Sequence, residues 1–252
     1  MLLTLDSSTL QNAQPDDFTV DFGIPLRVLD GVHELALIKC NLWYSYFNVS
    51  TEYNNNTIRY ITDTVQVRTV TFPNGNYTIT QLNSYLAATM LNNGDTNSII
   101  IEPNYSTLKV KITISNNYSL DLTTSSFHLL LGWNQGIYTH DGSLDGQNPA
   151  NINRDINSLL INCDIISASY KNGIMSNVLY SFVPSVPPGA NIELVPQNII
   201  YLPIKLPDFV SKIRMYITDQ LGRRLNLNNQ PVTYLIHIRK RQELFNPTLK
   251  NI

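Results

Sequence analysis

The sequence predicts an all-β chain, a single jelly-roll antiparallel β-sandwich with one helix and a loop insertion. Runs in which apolar and polar residues alternate recur along most of the 252 residues, each bounded by Gly, Pro, Asn or Asp. One segment alone changes to a helical period. A regular alternation of strands and helices is missing, which argues against a parallel, doubly wound sheet.

After an irregular start containing Pro15, the side chains Phe18, Val20 and Phe22 alternate with Thr19 and Asp21, predicting a strand that ends at Gly23 and Pro25. A short apolar segment over 26–29 leads to an Asp30-Gly31 turn. Residues 33–43 predict a long strand with Ala36, Ile38, Cys40 and Leu42 on one apolar face and Leu35, Leu37, Lys39 and Asn41 on the other. Two β-branched runs, 57–62 and 65–72, close at Pro73-Asn74-Gly75. Next, Thr78 and Gln81 stand at capping-box spacing, and Ile79, Leu82, Leu86 and Met90 recur at helical intervals until Asn92, Asn93 and Gly94 stop the run. A helix with one apolar stripe is expected to pack over an open end or edge of the sandwich.

Residues 99–102 and 108–115 predict a hairpin around Pro103-Asn104, with Leu108, Val110, Ile112 and Ile114 inward. A short helical turn fits 126–131. From 133 to 158 the chain is rich in Gly, Asn and Asp without a sustained period and reads as a long exposed loop. The insertion as a whole is expected at about 118–158 within a single domain spanning 1–252. Leu159, Ile161, Cys163 and Ile165 restart the alternation, Val178, Tyr180 and Phe182 follow an Asn172-Gly173 turn, and Ile200, Leu202, Ile204 and Leu206 predict a further strand. The clearest stretch is 212–241. Ile213, Met215 and Ile217, then Val232, Tyr234, Ile236 and Ile238, predict two antiparallel strands paired around a polar connection containing Gly222 and Pro231. A C-terminal tail at 242–252 follows, able to cover its own sandwich or to reach a neighbour.

A formal net charge of −2 with 14% charged residues leaves no basic footprint for nonspecific nucleic-acid binding. Cys40 and Cys163 lie in apolar runs and read as buried thiols, a disulfide being the alternative. The N-terminus lacks a basic n-region and Asp6 interrupts its apolar run, and no stretch approaches the ~20 apolar residues of a spanning helix. A protein made inside a cell, not secreted and without a membrane span, is therefore expected. The sequons at Asn48, Asn55, Asn76, Asn104 and Asn117 follow from abundant Asn, Ser and Thr.

Catalytic signatures are missing: no Walker loop, HExxH, paired CxxC or GxSxG elbow. His33, His128, His140 and His237 lack ligand spacing. The run Asp141 to Gly146 resembles the start of a calcium loop, but Ser143 and Ile152 stand where an Asp or Asn and a bidentate Glu are needed. Neither a cofactor nor an enzymatic activity is expected. Two sets of candidate contact residues remain. Arg223, Arg224, Arg239, Lys240 and Arg241 form the only basic clusters, read either as solvated strand ends or as inter-subunit or genome-facing contacts. Trp133, Tyr138, Asp141 and Asp145 mark the exposed loop, where aromatic side chains could serve as stacking platforms.

Four stretches in order resemble a known family. They are 18–29 (FTVDFGIPLRVL), 36–48 with Trp43 and Asn48, the Asn74-Gly75-Asn76-Tyr77-Thr78 turn running into Gln81-Leu82-Asn83, and the segment from Ile217-Thr218-Asp219-Gln220 through Gly222 and Leu225-Asn226-Leu227 to Leu235-Ile236-His237-Ile238-Arg239. Together they resemble the penton-type minor capsid proteins of Polintons, virophages and Polinton-like viruses. That resemblance implies a structural protein of the virion. It would be a single jelly roll forming a homopentamer at the five-fold vertices of an icosahedral capsid, beside trimers of a double jelly-roll major capsid protein, with a host receptor or glycan as a further partner. The alternative is a β-sandwich module that binds carbohydrate or a cell-surface receptor.

Overall fold

The computed structural model describes residues 1–10, 14–27, 32–139, 141–153, 156–205 and 209–241. The chain opens with β1 (Leu2–Asp6), β2 (Asp17–Arg27) and β3 (His33–Trp43). It continues through β4 (Thr57–Ile61), β5 (Val67–Thr71), α1 (Ile79–Asn92), β6 (Ile99–Asn104), β7 (Lys109–Ile114), β8 (Ser119–Asp121), α2 (Phe127–Leu131), β9 (Ile137–Tyr138) and β10 (Gly142–Asp145). It ends with β11 (Leu159–Cys163), β12 (Ser169–Lys171), β13 (Ile174–Ser176), β14 (Val178–Phe182), β15 (Asn191–Leu194), β16 (Leu202–Pro203), β17 (Phe209–Asp219) and β18 (Thr233–Lys240). These elements fall into two compact units, one formed by Met1–Tyr46 with Ile156–Ile252 and the other by Phe47–Asp155.

The first unit is an antiparallel sandwich. One sheet has the order β1-β18-β3-β15, with β16 also on β3, and the other has the order β14-β11-β17-β2. With the short β16 set aside and the eight main strands counted in chain order, the sheets read 1-8-3-6 and 5-4-7-2, the connectivity of a jelly roll. Apart from β11 and β14, which pair, consecutive main strands therefore cross between the two sheets. This corrects the expected pairing within 212–241: β17 pairs with β11 and β2, whereas β18 lies between β1 and β3. Ile213, Met215 and Ile217 meet Tyr234, Ile236 and Ile238 in one core from opposite sheets. Alternation tells which side chains point inward. It does not distinguish a hydrogen-bonded neighbour from a strand facing across a core ~10 Å thick.

β3 has the predicted bounds but a different inward face. Its register with β18 shifts between Leu235, opposite Lys39, and Ile236, opposite Leu37, leaving Ile38 as the extra residue of a bulge. The parity flips there, so the core receives Leu35 and Leu37 before the bulge and Cys40 and Leu42 after it. β2 runs through Gly23 and Pro25 instead of ending there. β1 and β15 were not expected, and the strand expected at 200–206 shortens to Leu202–Pro203, with Leu206 outside the described residues. Cys40 and Cys163 are free buried thiols. The Asp30-Gly31 turn and the tail at 242–252 also lie outside the described residues.

The second unit spans Phe47–Asp155 and so includes most of the segment expected as an insertion at about 118–158. It has its own core, in which Val70, Phe72, Leu82, Leu86, Met90, Ile101, Val110, Phe127 and Trp133 are buried together. Two sheets frame it, β5-β4-β8-β9 and β10-β7-β6. The helix α1 matches its sequence signals. Thr78 Oγ1 accepts from the Gln81 N–H, the Gln81 side chain closes the capping box, and Ile79, Leu82, Leu86 and Met90 are its buried residues. It packs on β6 inside this unit, with Asn83 Oδ1 accepting from the Ile101 N–H at 2.8 Å. The β6 and β7 strands pair through Pro103, opposite Val110, and Asn104, opposite Lys109, so the turn falls at 105–108. Leu108 sits in that turn, exposed and at φ 59°, while Val110, Ile112 and Ile114 are buried as expected.

Candidate interaction surfaces

The five basic residues occupy two places, set by the ends of β17 and β18. At the end of β17, Asp219 is buried and its Oδ1 accepts the N–H groups of Leu221 and Arg223, both at 2.9 Å, while its Oδ2 receives Arg223 Nε at 2.5 Å. Asp219 thus caps a tight turn in which Gly222 adopts φ 85°. Arg224 pairs with Asp17, which also receives Arg214 through Nε at 2.7 Å and Nη2 at 2.8 Å. At the far end of β18, Arg239 and Arg241 share Glu34 at 3.2 and 3.7 Å, and the Arg239 guanidinium stacks on Tyr201, 3.4 Å from the ring centre. Among the described residues Lys240 forms no ion pair and is exposed.

Eight residues of β18 separate these two groups by ~25 Å, so the structure does not bring them together. The four arginines are matched by carboxylates. A further anion could recruit Lys240 without competition, but would have to share the others.

His237, on the outer side of β18, holds Tyr201 Oη at 2.8 Å through Nδ1. Burial, the N-terminal ammonium and Arg239 together lower its pKa below the ordinary histidine value. Among the described residues no three His, Cys, Asp or Glu side chains gather as a metal site, and His140 lies outside them.

The residues expected to mark an exposed loop divide differently. Trp133 is buried, and its indole N–H donates to the Val110 carbonyl at 3.0 Å, so it anchors the inserted unit and offers no platform to a ligand. This corrects its assignment as a loop contact: its indole packs against Gly146 and meets the edge of Tyr138 at 4.7 Å between ring centres. Tyr138 is half-buried and donates to the Asn134 carbonyl at 2.8 Å. Asp141 and Asp145 are exposed as expected. Gly142–Asp145 is a strand paired with β7, so this run is an extended edge and not a calcium loop. Beside Trp133 a cleft of about 320 Å³ is lined by His128, Leu129, Asn134, Gln135, Asn148 and Asn151.

Sequence reasoning missed a set of apolar side chains that the sandwich leaves in water: Ile24 on β2, Tyr170 and the Ile174-Met175 pair on the β12–β13 hairpin, Phe209 at the start of β17 and Leu221 beyond its end. The readable signal was brevity. Two three-residue strands joined by Asn172-Gly173 cannot bury both of their faces.

No protein-family model and no curated protein matches this chain. Among solved structures, the mavirus penton protein aligns over 95% of this chain and 99% of its own, with a TM-score of 0.51 and 10% identity. A chain in the cryo-EM structure of the Sputnik virophage aligns over 94% of this chain and 97% of its own, with a TM-score of 0.41 and 12% identity. Over 95% of its length, the chain therefore shares the fold of the mavirus penton protein.

Proposed function

We propose that this protein is a structural protein of a virion, a penton-type minor capsid capsomer that forms the five-fold vertices of an icosahedral capsid. The observation that carries this reading is the likeness in fold to the mavirus penton protein over nearly the whole of both chains, inserted segment included. It joins the ordered motifs at 18–29, 36–48, 74–83 and 217–239, which resemble the same class of protein. Its partners in this reading are four further copies of itself and a double jelly-roll major capsid protein. Its work is association and not catalysis.

The proposed vertex role asks for side-by-side packing of rigid sandwiches and for a unit that varies independently of that packing. A separate core inserted between β3 and β11 supports both requirements. The carbohydrate-binding alternative loses its main support with the burial of Trp133. Negative-stain microscopy of the purified protein tests the proposal. Five-fold rings, and their incorporation into shells when the major capsid protein is co-expressed, are the expected outcome. A strictly monomeric species at high concentration that never enters shells would overturn it.

A further inference from the structure

We infer that neighbouring copies join head to tail through two different apolar patches of the sandwich, the Ile24/Phe209 edge of one copy packing on the β12–β13 hairpin of the next. This inference rests on the self-assembly proposed above and assigns its contact surface.

The two patches flank the same sheet. β2 and β14 are its outer strands, with β11 and β17 between them. On the β2 side, Val210 pairs with Leu26 and Lys212 with Asp21, so four residues of β2 stand against one of β17. Residues 22–25 therefore bulge from the edge, presenting Ile24, 86% exposed, between Gly23 and Pro25. Phe209, 58% exposed, lies close by, opposite Arg27. The bulge, and a proline without an N–H, prevent this edge from accepting another strand. What the edge offers a neighbour is side chains.

On the other flank, β12 and β13 form a two-residue hairpin with Asn172 at φ 50° and Gly173 at φ 79°. Tyr170 stands directly opposite Met175, which places them on one face, 65% and 59% exposed, and Ile174 is 73% exposed on the other. The hairpin reaches towards the β17–β18 connection, where Lys171 Nζ lies 3.9 Å from the place a Gly222 Cβ would take and Leu221 is 63% exposed. Between the hairpin and the sheet lies a cleft of about 320 Å³ walled by Met175, Leu160, Asn162, Tyr216 and Thr218.

Two unlike patches on opposite flanks cannot cover each other within one chain. A two-fold contact would pair a patch with its own copy. An unlike pair instead repeats by rotation and closes into a ring when the rotation divides a full turn. Ile24, Phe209, Tyr170, Met175 and Leu221 together expose on the order of 500 Å² of apolar surface, about half of the apolar share of a standard ~1,600 Å² interface.

Met175→Lys and Ile24→Lys test the inference, followed by sedimentation velocity with circular dichroism to verify folding. Each variant alone is expected to stay monomeric at concentrations where the unmodified protein forms rings. An equimolar mixture should give a one-to-one dimer that grows no further, because each partner keeps only the patch that the other has lost. Dimer formation also proves that both variants are folded. The milder pair Met175→Ser and Phe209→Ser should raise ring dissociation at least tenfold. Rings that persist in both lysine variants, or a mixture that stays monomeric, would overturn the assignment while leaving the ring itself standing. An unmodified protein that never associates would overturn both.

Discussion

Each unit buries a tyrosine completely at the centre of its core, and the two treat its hydroxyl in opposite ways. In the inserted unit, Tyr60 donates to the Asp95 carboxylate at 2.5 Å and accepts from Asn93 at 3.1 Å. In the sandwich, Tyr234 stacks on Phe18 at 5.8 Å between ring centres, and its hydroxyl has no hydrogen-bond partner among the described residues. Burial raises the pKa of both, that of Tyr60 to about 12. The difference is confined to the two tyrosines: the insert has further hydrogen-bonded anchors in Trp133 and Asp121, the sandwich has its own in Asp219 and Asn162, and the insert leaves the buried Ser50 hydroxyl unmatched among the described residues. Charge differs too: the sandwich unit carries 12 Lys and Arg against 11 Asp and Glu, a net +1, and the insert 5 against 8, a net −3.

The largest effect that would sharpen this contrast is expected at Gly132, which ends α2 at φ 71°. A Cβ there would stand 2.4 Å from the carbonyl oxygens of both Asn148 and Pro149. Gly132→Ala should cost ~3 kcal/mol or more. Hydrogen exchange should rise across 47–155 and spare the sandwich, and equal loss in both units would show that their cores are not separable. Tyr60→Phe should cost ~1–2 kcal/mol by denaturant midpoint, because Asp95 and Asn93 lose their partner. Tyr234→Phe should have the opposite sign and stabilise by ~1 kcal/mol, since it removes a desolvated hydroxyl that gains nothing. If Tyr234→Phe instead destabilises, the hydroxyl has a partner in solution and the contrast between the cores fails.

The pH dependence offers a subtler check. Burial acts to raise the Asp121 pKa, but hydrogen bonds from Thr123 and the Arg59 guanidinium outweigh it and hold the carboxyl below its ordinary value. A depressed folded-state pKa contributes stability at neutral pH that is lost as pH falls through ~3.9 and below. Asp121→Asn should flatten the acid limb of the insert's stability curve, and an unchanged limb would show that other carboxylates set it. Smallest of all, Lys240→Ala should leave stability within ~0.5 kcal/mol, because no ion pair among the described residues is lost. Any larger shift in thermal unfolding would reveal a partner for it.

Local signals in the sequence were reliable wherever a short stretch decides its own structure. The capping box of Thr78 and Gln81, the stripe Ile79, Leu82, Leu86 and Met90, the bounds of β3, and the buried thiols Cys40 and Cys163 all follow from neighbours in sequence. What escaped were facts about distant strands. The bulge at Ile38 exists only because β18 pairs there. The separation of β17 from β18 depends on which strands fill the gaps between them. Trp133 looked exposed because its flanking residues are polar and turn-rich, yet its indole reaches back to Val110 across 23 positions. The basic residues were found, but their carboxylate partners Asp17 and Glu34 lie about 200 residues away in the chain and could not be paired in advance.

The symmetry of the purified assembly tests the proposed vertex role most directly. Class averages from negative-stain or cryo-electron microscopy of the unmodified protein should show closed five-fold rings of sandwiches. Particles that are only monomeric, or dimers related by a two-fold axis, would contradict it.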